Sequence, residues 1–179
     1  MMRAFPTLAD QDRAERLSSL FDAHSDRLYR LARRLAPSAD DALDLVQETF
    51  LRAARSSPSV PCGNPSEEAW LVRVLVNIRR DQWRKEAVRK LHDMAVNGNL
   101  RNPESALITK ADIWRALDVL PPRRRAVLVM HELEGLPVPA IAEMLGISTI
   151  TVRWHLSIAK RELRRVLKSY LGGTDAADD

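Results

Sequence analysis

The sequence is poor in cysteine, and its histidines are scattered. The single cysteine, Cys62, excludes an intramolecular disulfide, and the histidines show no spacing of a metal site: His24, His92, His131 and His155. No nucleophile, base and carboxylate stand in a catalytic pattern. Neither a signal peptide nor an apolar run of membrane-spanning length is present. We therefore expect a cytoplasmic protein without enzyme activity, cofactor, metal, small-molecule substrate or membrane insertion.

Glycine and aromatic residues are also scarce, with 6 glycines in 179 residues and 5% aromatics. Ala, Leu, Arg and Glu predominate, and these residues lose little rotamer freedom in a helix. No strand-like alternation extends beyond a few residues, so the composition predicts an all-α fold. The apolar periodicity places two small helical domains in the chain, and the C-terminal domain ends in a helix-turn-helix.

Charge is clustered although the formal net charge is only +4. Basic residues form blocks at 79–90, at 123–125 and in the last helical segment, while acidic residues collect between Asp40 and Glu48 and in the tail. Such separation favours one polyanionic partner and one basic partner, and the alternative is that these are ordinary solvated helix faces.

The helix-turn-helix is predicted between Glu134 and Leu167. Apolar residues recur at helical spacing on both sides of Gly146, a residue that suits a tight turn. Ser148 or Thr149 can cap the second helix, which is basic towards its end and has the pattern of a helix that reads the major groove. The alternative is an ordinary helical hairpin with a solvated basic face.

Upstream, Ser38 is predicted to cap a helix from Ala39 to about Ala54. Its expected core face is Leu43, Val46, Phe50 and Ala53. Another face carries an acidic stripe, which is either a docking surface for a basic partner or solvated. That stripe consists of Asp41, Asp44, Gln47 and Glu48.

A loop rich in proline, from Ser56 to Pro65, precedes a helix that Ser66 is expected to cap. One side of this helix is polar, with Arg73, Asn77, Arg80 and Arg84 at spacings of four, three and four residues. Cations beside an aromatic ring suit unstacked bases, and Trp83 either stacks on a base or packs in the core.

These patterns divide the chain into five segments. Residues 1–16 are expected to be an N-terminal extension, 17–89 a first helical domain, 90–105 a linker, 106–170 a second domain that begins with a helix from Ala106 to Leu120, and 171–179 a disordered tail.

Three segments together resemble the extracytoplasmic-function (ECF) group of bacterial sigma-70 factors. DLVQETFLRA (44–53) resembles the family's core-polymerase-binding segment, and AWLVRVLVNIRRDQWRK (69–85) resembles its helix for promoter melting and −10 recognition. ALDVLPPRRRAVLVMHELEGL with IAEMLGIS (116–136, 141–148) resembles its −35-binding domain. The resemblance implies a transcription initiation factor with core RNA polymerase, promoter DNA and an anti-sigma factor as partners.

The resemblance also implies roles for residues. Core-polymerase binding is expected of Asp41, Asp44, Gln47, Glu48, Thr49 and Phe50. Contact with −10 DNA is expected of Arg73, Asn77, Arg80, Asp81, Trp83 and Arg84, and the loop 56–65 lies where such factors capture a flipped base. Contact with −35 DNA is expected of Ser148, Thr149, Thr151, Arg153, Trp154, His155 and Lys160.

Arg153 takes the place of a usual lysine of the family. Trp154 and His155 stand where the family usually places small and cationic side chains, so we expect an unusual −35 sequence. His155-Leu156-Ser157 also resembles LuxR-type regulators, and an operator-binding regulator of that kind is the main alternative function. A helical interaction protein that binds acidic partners through its basic faces is a third hypothesis.

Overall fold

The computed structural model describes residues 8–56, 59–97 and 116–171. Within them the chain is helical and contains no strand, and the all-α prediction is confirmed for this part of the chain. The helices are α1 (Leu8–Leu35), α2 (Ala39–Arg55), α3 (Asn64–Asn97), α4 (Pro122–Glu132), α5 (Val138–Leu145) and α6 (Thr149–Leu171).

Two compact units divide the chain. The first holds α1, α2, α3 as far as Arg79 and the short stretch Glu143–Gly146, with α1 packed on α2. Its core comes from leucines spaced along α1, including Leu28 and Leu35, and from Leu71 and Leu75 of α3, which are fully buried. The apolar residues whose spacing of three and four predicted these helices are therefore also the residues that the helices bury.

The start of α2 follows the predicted capping chemistry. The Ser38 hydroxyl accepts a hydrogen bond from the Asp41 amide at 3.1 Å and lies 2.6 Å from the Asp41 carboxylate. Asp40 and Asp41 in the first turn also suit the positive end of the helix dipole. Asp41 therefore has a structural role at the beginning of α2.

The predicted core face of α2 is wrong at one position. Leu43 is 47% exposed, whereas Ala42, Leu45, Val46, Thr49, Phe50 and Ala53 are buried. These buried residues follow one another at alternating intervals of three and one, and their common face lies about a quarter turn away from Leu43. The outer surface of α2 consequently carries an unexpected leucine.

Helix ends differ from expectation at several places. The first helix begins at Leu8, so Leu8 to Arg16, predicted as part of an N-terminal extension, are helical and belong to α1. The third helix begins at Asn64, which places Ser66 inside it, and it continues to Asn97 through the first half of the predicted linker. Residues 98–105, 172–179 and most of the predicted helix Ala106–Leu120 lie outside the described residues.

The second compact unit is built around α4 and α6, which pack on each other. Pro122 begins α4, where a missing amide hydrogen costs nothing, and Val127, Val129 and Met130 are buried. Gly146 has a φ of +63°, in the left-handed region, and forms the turn between α5 and α6. The helix-turn-helix prediction is confirmed in its elements and in its turn.

Two arginines from the basic blocks are buried and serve the fold. Arg79 is 5% exposed and its Nε donates to the Leu35 carbonyl at 3.1 Å, which gives a partner to the C-terminal end of α1. Arg125 is buried beside the Asp118 carboxylate, to which it donates a hydrogen bond. Neither guanidinium is therefore available to a polyanionic partner.

Candidate functional site

Helix α6, the predicted recognition helix, begins at a side-chain cap. The Thr151 amide donates to the Ser148 hydroxyl at 3.1 Å, and the hydroxyls of Ser148 and Thr151 lie 2.8 Å apart. Thr149 and Thr151 are half-buried. These three predicted −35 residues thus lie at the start of α6, with Ser148 committed to shaping it.

The outward face of α6 is set by the residues that anchor the helix. Val152, Leu156 and Ala159 are buried against the rest of the unit. Opposite them, Ile150 is 74% and Trp154 52% exposed, and Arg153 between them is also exposed. Ile150 lies among the first-turn positions where a recognition helix usually touches base edges, and it is the most exposed large apolar side chain in the described part of the chain.

Trp154 is held from an earlier helix. The Arg124 guanidinium lies 5.4 Å from the centroid of the Trp154 ring, within range of a cation–π interaction. Arg124 also donates to the Glu162 carboxylate at 2.7 Å. Sequence reasoning missed this role because Arg124 lies in a basic block thirty residues before the ring that it contacts.

His155 faces partly inward. Burial lowers the pKa of the His155 imidazole, and the nearby charges of Arg124 and Arg123 lower it further. The neutral form therefore predominates at pH 7, and His155 adds no charge to the recognition surface.

Lys160 is paired within the unit. Its ammonium lies 2.9 Å from the Glu132 carboxylate at the end of α4. The hydrogen bonds from Lys160 and from His131 lower the pKa of the Glu132 carboxyl. A phosphate must compete with Glu132 for Lys160, whereas Arg161, Arg164 and Arg165 along the same helix are exposed.

The outer face of α2 combines acidic and apolar side chains. Asp44 and Gln47 are exposed, and Glu48 is half-buried with a hydrogen bond from Arg52 at 3.1 Å. The exposed Leu43 and Leu51 lie on the same side of the helix. This docking face, defined as Leu43, Asp44, Gln47, Glu48 and Leu51, offers both charge and apolar area to a partner.

Two predicted contact residues of α2 are instead interior. Thr49 is 0% exposed and its hydroxyl donates to the Leu45 carbonyl at 2.7 Å. Phe50 is 6% exposed and lies 4.9 Å from Phe21, centroid to centroid. In this fold both side chains face the core of the first unit, and their contact with core polymerase stays a prediction.

The polar face of α3 lies on one continuous helix. Arg84 is exposed, while Arg73, Asn77, Arg80 and Trp83 are half-buried. Their spacings of three and four residues keep the polar groups on one side. Asp81 is 3.4 Å from the Arg80 guanidinium and partly offsets its charge.

Arg16 braces the loop before α3. Its Nη2 donates to the carbonyl of Val60 at 2.8 Å and lies 3.4 Å from that of Pro61. Val60 is buried, and Gly63 turns the chain with a φ of +99°. The Gly63 amide then donates to Glu67 at 3.3 Å, so the second half of the predicted loop has a fixed shape.

Among the described residues, no group of three or more His, Cys, Asp or Glu could hold a metal ion. No helix among them has both the length and the apolarity needed to cross a membrane.

Comparison with known proteins relates both halves of the chain to one family. Residues 20–89 match Sigma-70 region 2, and residues 110–163 match Sigma-70 region 4. The ECF RNA polymerase sigma factor SigE of Mycolicibacterium smegmatis is 36% identical over 95% of this chain and 68% of its own length. RNA polymerase sigma factor SigV of Bacillus subtilis is 32% identical over 79% of this chain and 84% of its own.

Solved structures agree. The sigma factor RpoE of Bartonella quintana, crystallised with the anti-sigma factor NepR, superposes with a TM-score of 0.57 at 25% identity, covering 88% of this chain and 98% of RpoE. CnrH, solved with the cytosolic domain of CnrY, gives 0.56 at 26% identity, covering 90% and 96%.

A helical segment, residues 20–89, that matches region 2, followed by a segment with a helix-turn-helix, residues 110–163, that matches region 4, defines a sigma-70-type factor. Within that class, the similar proteins include an ECF sigma factor that is 36% identical to this chain. The chain belongs to the ECF sigma factors of RNA polymerase.

Proposed function

We propose that the protein binds core RNA polymerase through the docking face of α2, directs it to promoters through −10 and −35 contacts, and promotes DNA opening. The observation that carries the proposal is the order of surfaces in one chain: an exposed acidic and apolar face on α2, a polar face on α3, and an outward recognition helix α6. This is the order in which the family's regions 2 and 4 are matched.

The docking face is suited to a basic helical partner. Asp44 supplies an exposed carboxylate, while Leu43 and Leu51 supply apolar area that water contacts in the free protein. Exposed apolar residues grouped beside charge are typical of protein–protein contacts. We assign this face to the polymerase, and Thr49 and Phe50 support it from inside.

Promoter contact is assigned to two surfaces. On α3, Asn77, Trp83 and Arg84 can receive −10 bases and phosphates, with the loop braced by Arg16 as the place where a flipped base is held. On α6, the first two turns face the −35 major groove and the later arginines face phosphates.

An anti-sigma partner is also proposed. RpoE was solved in complex with the anti-sigma factor NepR, and the likeness to RpoE supports a protein of that class as a regulator of this chain.

The operator-binding alternative is less well supported because residues 20–89 match region 2 of the sigma-70 family. An operator-binding regulator of the LuxR type does not require such a region. The experiment that separates the two is run-off transcription with purified core polymerase on a promoter library. The proposal expects promoter-specific transcripts that require this protein. Duplex binding without polymerase and without transcripts would favour the alternative.

The docking face has its own test. We expect Asp44→Arg to weaken binding to core polymerase about tenfold or more, because an exposed carboxylate is replaced by a repelling cation. Asp26→Arg on α1, also exposed, is the matched control for the change in net charge. If a fluorescence titration gives equal affinities for the two variants, the proposal that α2 contacts core polymerase is wrong.

A further inference from the structure

The first two turns of the recognition helix carry large apolar groups where DNA readers usually carry polar ones. Ile150 and Trp154 are four residues apart, on one side of α6, and both are more than half exposed. Neither is needed for the fold, because Val152, Leu156 and Ala159 anchor the helix from its other side. Their exposure is explained if a partner covers them.

The orientation of Trp154 is fixed before any partner arrives. Arg124 covers one face of its ring, and Glu162 holds Arg124 at 2.7 Å. His155 contacts the ring from the side, with centroids 5.0 Å apart. A ring supported in this way loses little freedom on binding, which favours a recognition role.

The major groove offers one apolar group to such side chains, the 5-methyl group of thymine. Four helical residues rise about 6 Å, close to two base-pair steps of about 3.4 Å each. We infer that Ile150 and Trp154 read the methyl groups of two thymines about two base-pair steps apart in the −35 element, and that Arg124 is a positioning residue for Trp154. This inference rests on the proposed function.

The test uses core polymerase reconstituted with the full chain. The −35 element is first selected from a library, and each of its thymines is then replaced by deoxyuridine, which lacks only the methyl group. We expect dissociation constants about fourfold higher at each of two positions, equivalent to about 0.8 kcal/mol for one buried methyl-sized group.

Variants assign each methyl group to a side chain. Trp154→Ser should abolish the uracil effect at one thymine and leave it at the other, and Ile150→Thr should do the reverse. Arg124→Gln keeps the indole but removes its support, so it should reduce only the effect that Trp154→Ser abolishes. A purely structural role of Arg124 would weaken binding to thymine and uracil duplexes equally.

The possible outcomes separate the two proposals. A selected −35 element without thymines at such a spacing, or one whose uracil substitutions change nothing, overturns the inference and leaves the sigma function intact. Failure to select any promoter overturns the proposed function, and the inference then falls with it.

Discussion

Phe50 decides between a packing role and a contact role for the inner side of α2. The structure buries its ring against Phe21, at a centroid distance of 4.9 Å and an interplanar angle of 55°. Replacing a buried phenylalanine by alanine costs about 3–5 kcal/mol. An open apolar groove of about 550 Å³ lies alongside, so water and the half-exposed Phe21 can enter the vacated space. We therefore expect Phe50→Ala to cost about 3 kcal/mol, the lower end of that range.

Phe21→Ala provides the comparison. Because Phe21 is 48% exposed, about half of the usual value for burying its ring is lost, or about 1 kcal/mol. The double variant should reveal a coupling of about 0.5–1.5 kcal/mol, which is typical of an aromatic pair in contact.

Hydrogen exchange of α2 peptides measures these costs, with α6 peptides as an internal control from the second unit. A loss of about 3 kcal/mol corresponds to exchange more than about a hundredfold faster. The reasoning is refuted if Phe50→Ala leaves α2 protection unchanged while its affinity for core polymerase falls, since the ring would then be a contact and not a packing group.

Three further predictions address single residues. Thr49→Val should change core-polymerase affinity less than about twofold, because the hydroxyl is bonded within α2, and a tenfold loss would restore Thr49 as a contact. Ser148→Ala should cost about 1 kcal/mol at the start of α6, seen as faster exchange of the Thr151 region, and Ser148→Asn should recover most of it. Because the folded-state pKa of His155 is lowered, the unfolded chain takes up its proton first; stability is unaffected above pH 6.5 and falls as the pH drops below it towards the folded-state pKa. His155→Gln should therefore show a smaller difference between urea midpoints at pH 7.5 and 5.5, and an unchanged difference would contradict the assignment.

The features that could be predicted from sequence were those with local causes. Ser38 and Ser148 cap the amides three residues ahead of them, and Gly146 forms the turn because its φ is positive. Such signals involve neighbours along the chain, so a pattern is sufficient to find them. The predicted boundaries of α1 and α3 differ from the structure because the polar stretch before Leu17 carries little apolar periodicity, and because Pro65 lies in the first turn of α3, where a proline is tolerated.

The sequence could not predict which side chains contact one another between different helices. Arg79 and Arg125 look like members of basic blocks, yet each is buried on a specific acceptor, the Leu35 carbonyl and the Asp118 carboxylate. Leu43 looks like core but lies a quarter turn from the buried face. Periodicity identifies a face, and only packing decides how wide the buried part of that face is.

The surroundings of Trp154 also cannot be read from the sequence of α6 alone, and this affects the transfer of α6 to another protein. Grafting 149–158 onto another sigma factor would move Ile150 and Trp154 but leave Arg124 and Glu162 behind. Without them one face of the indole is uncovered, and the ring gains rotamers that it must give up on binding DNA. Under this inference specificity depends on α6 together with a position on α4, so we expect a graft that includes both Arg124 and Glu162 to retain discrimination that the helix alone loses.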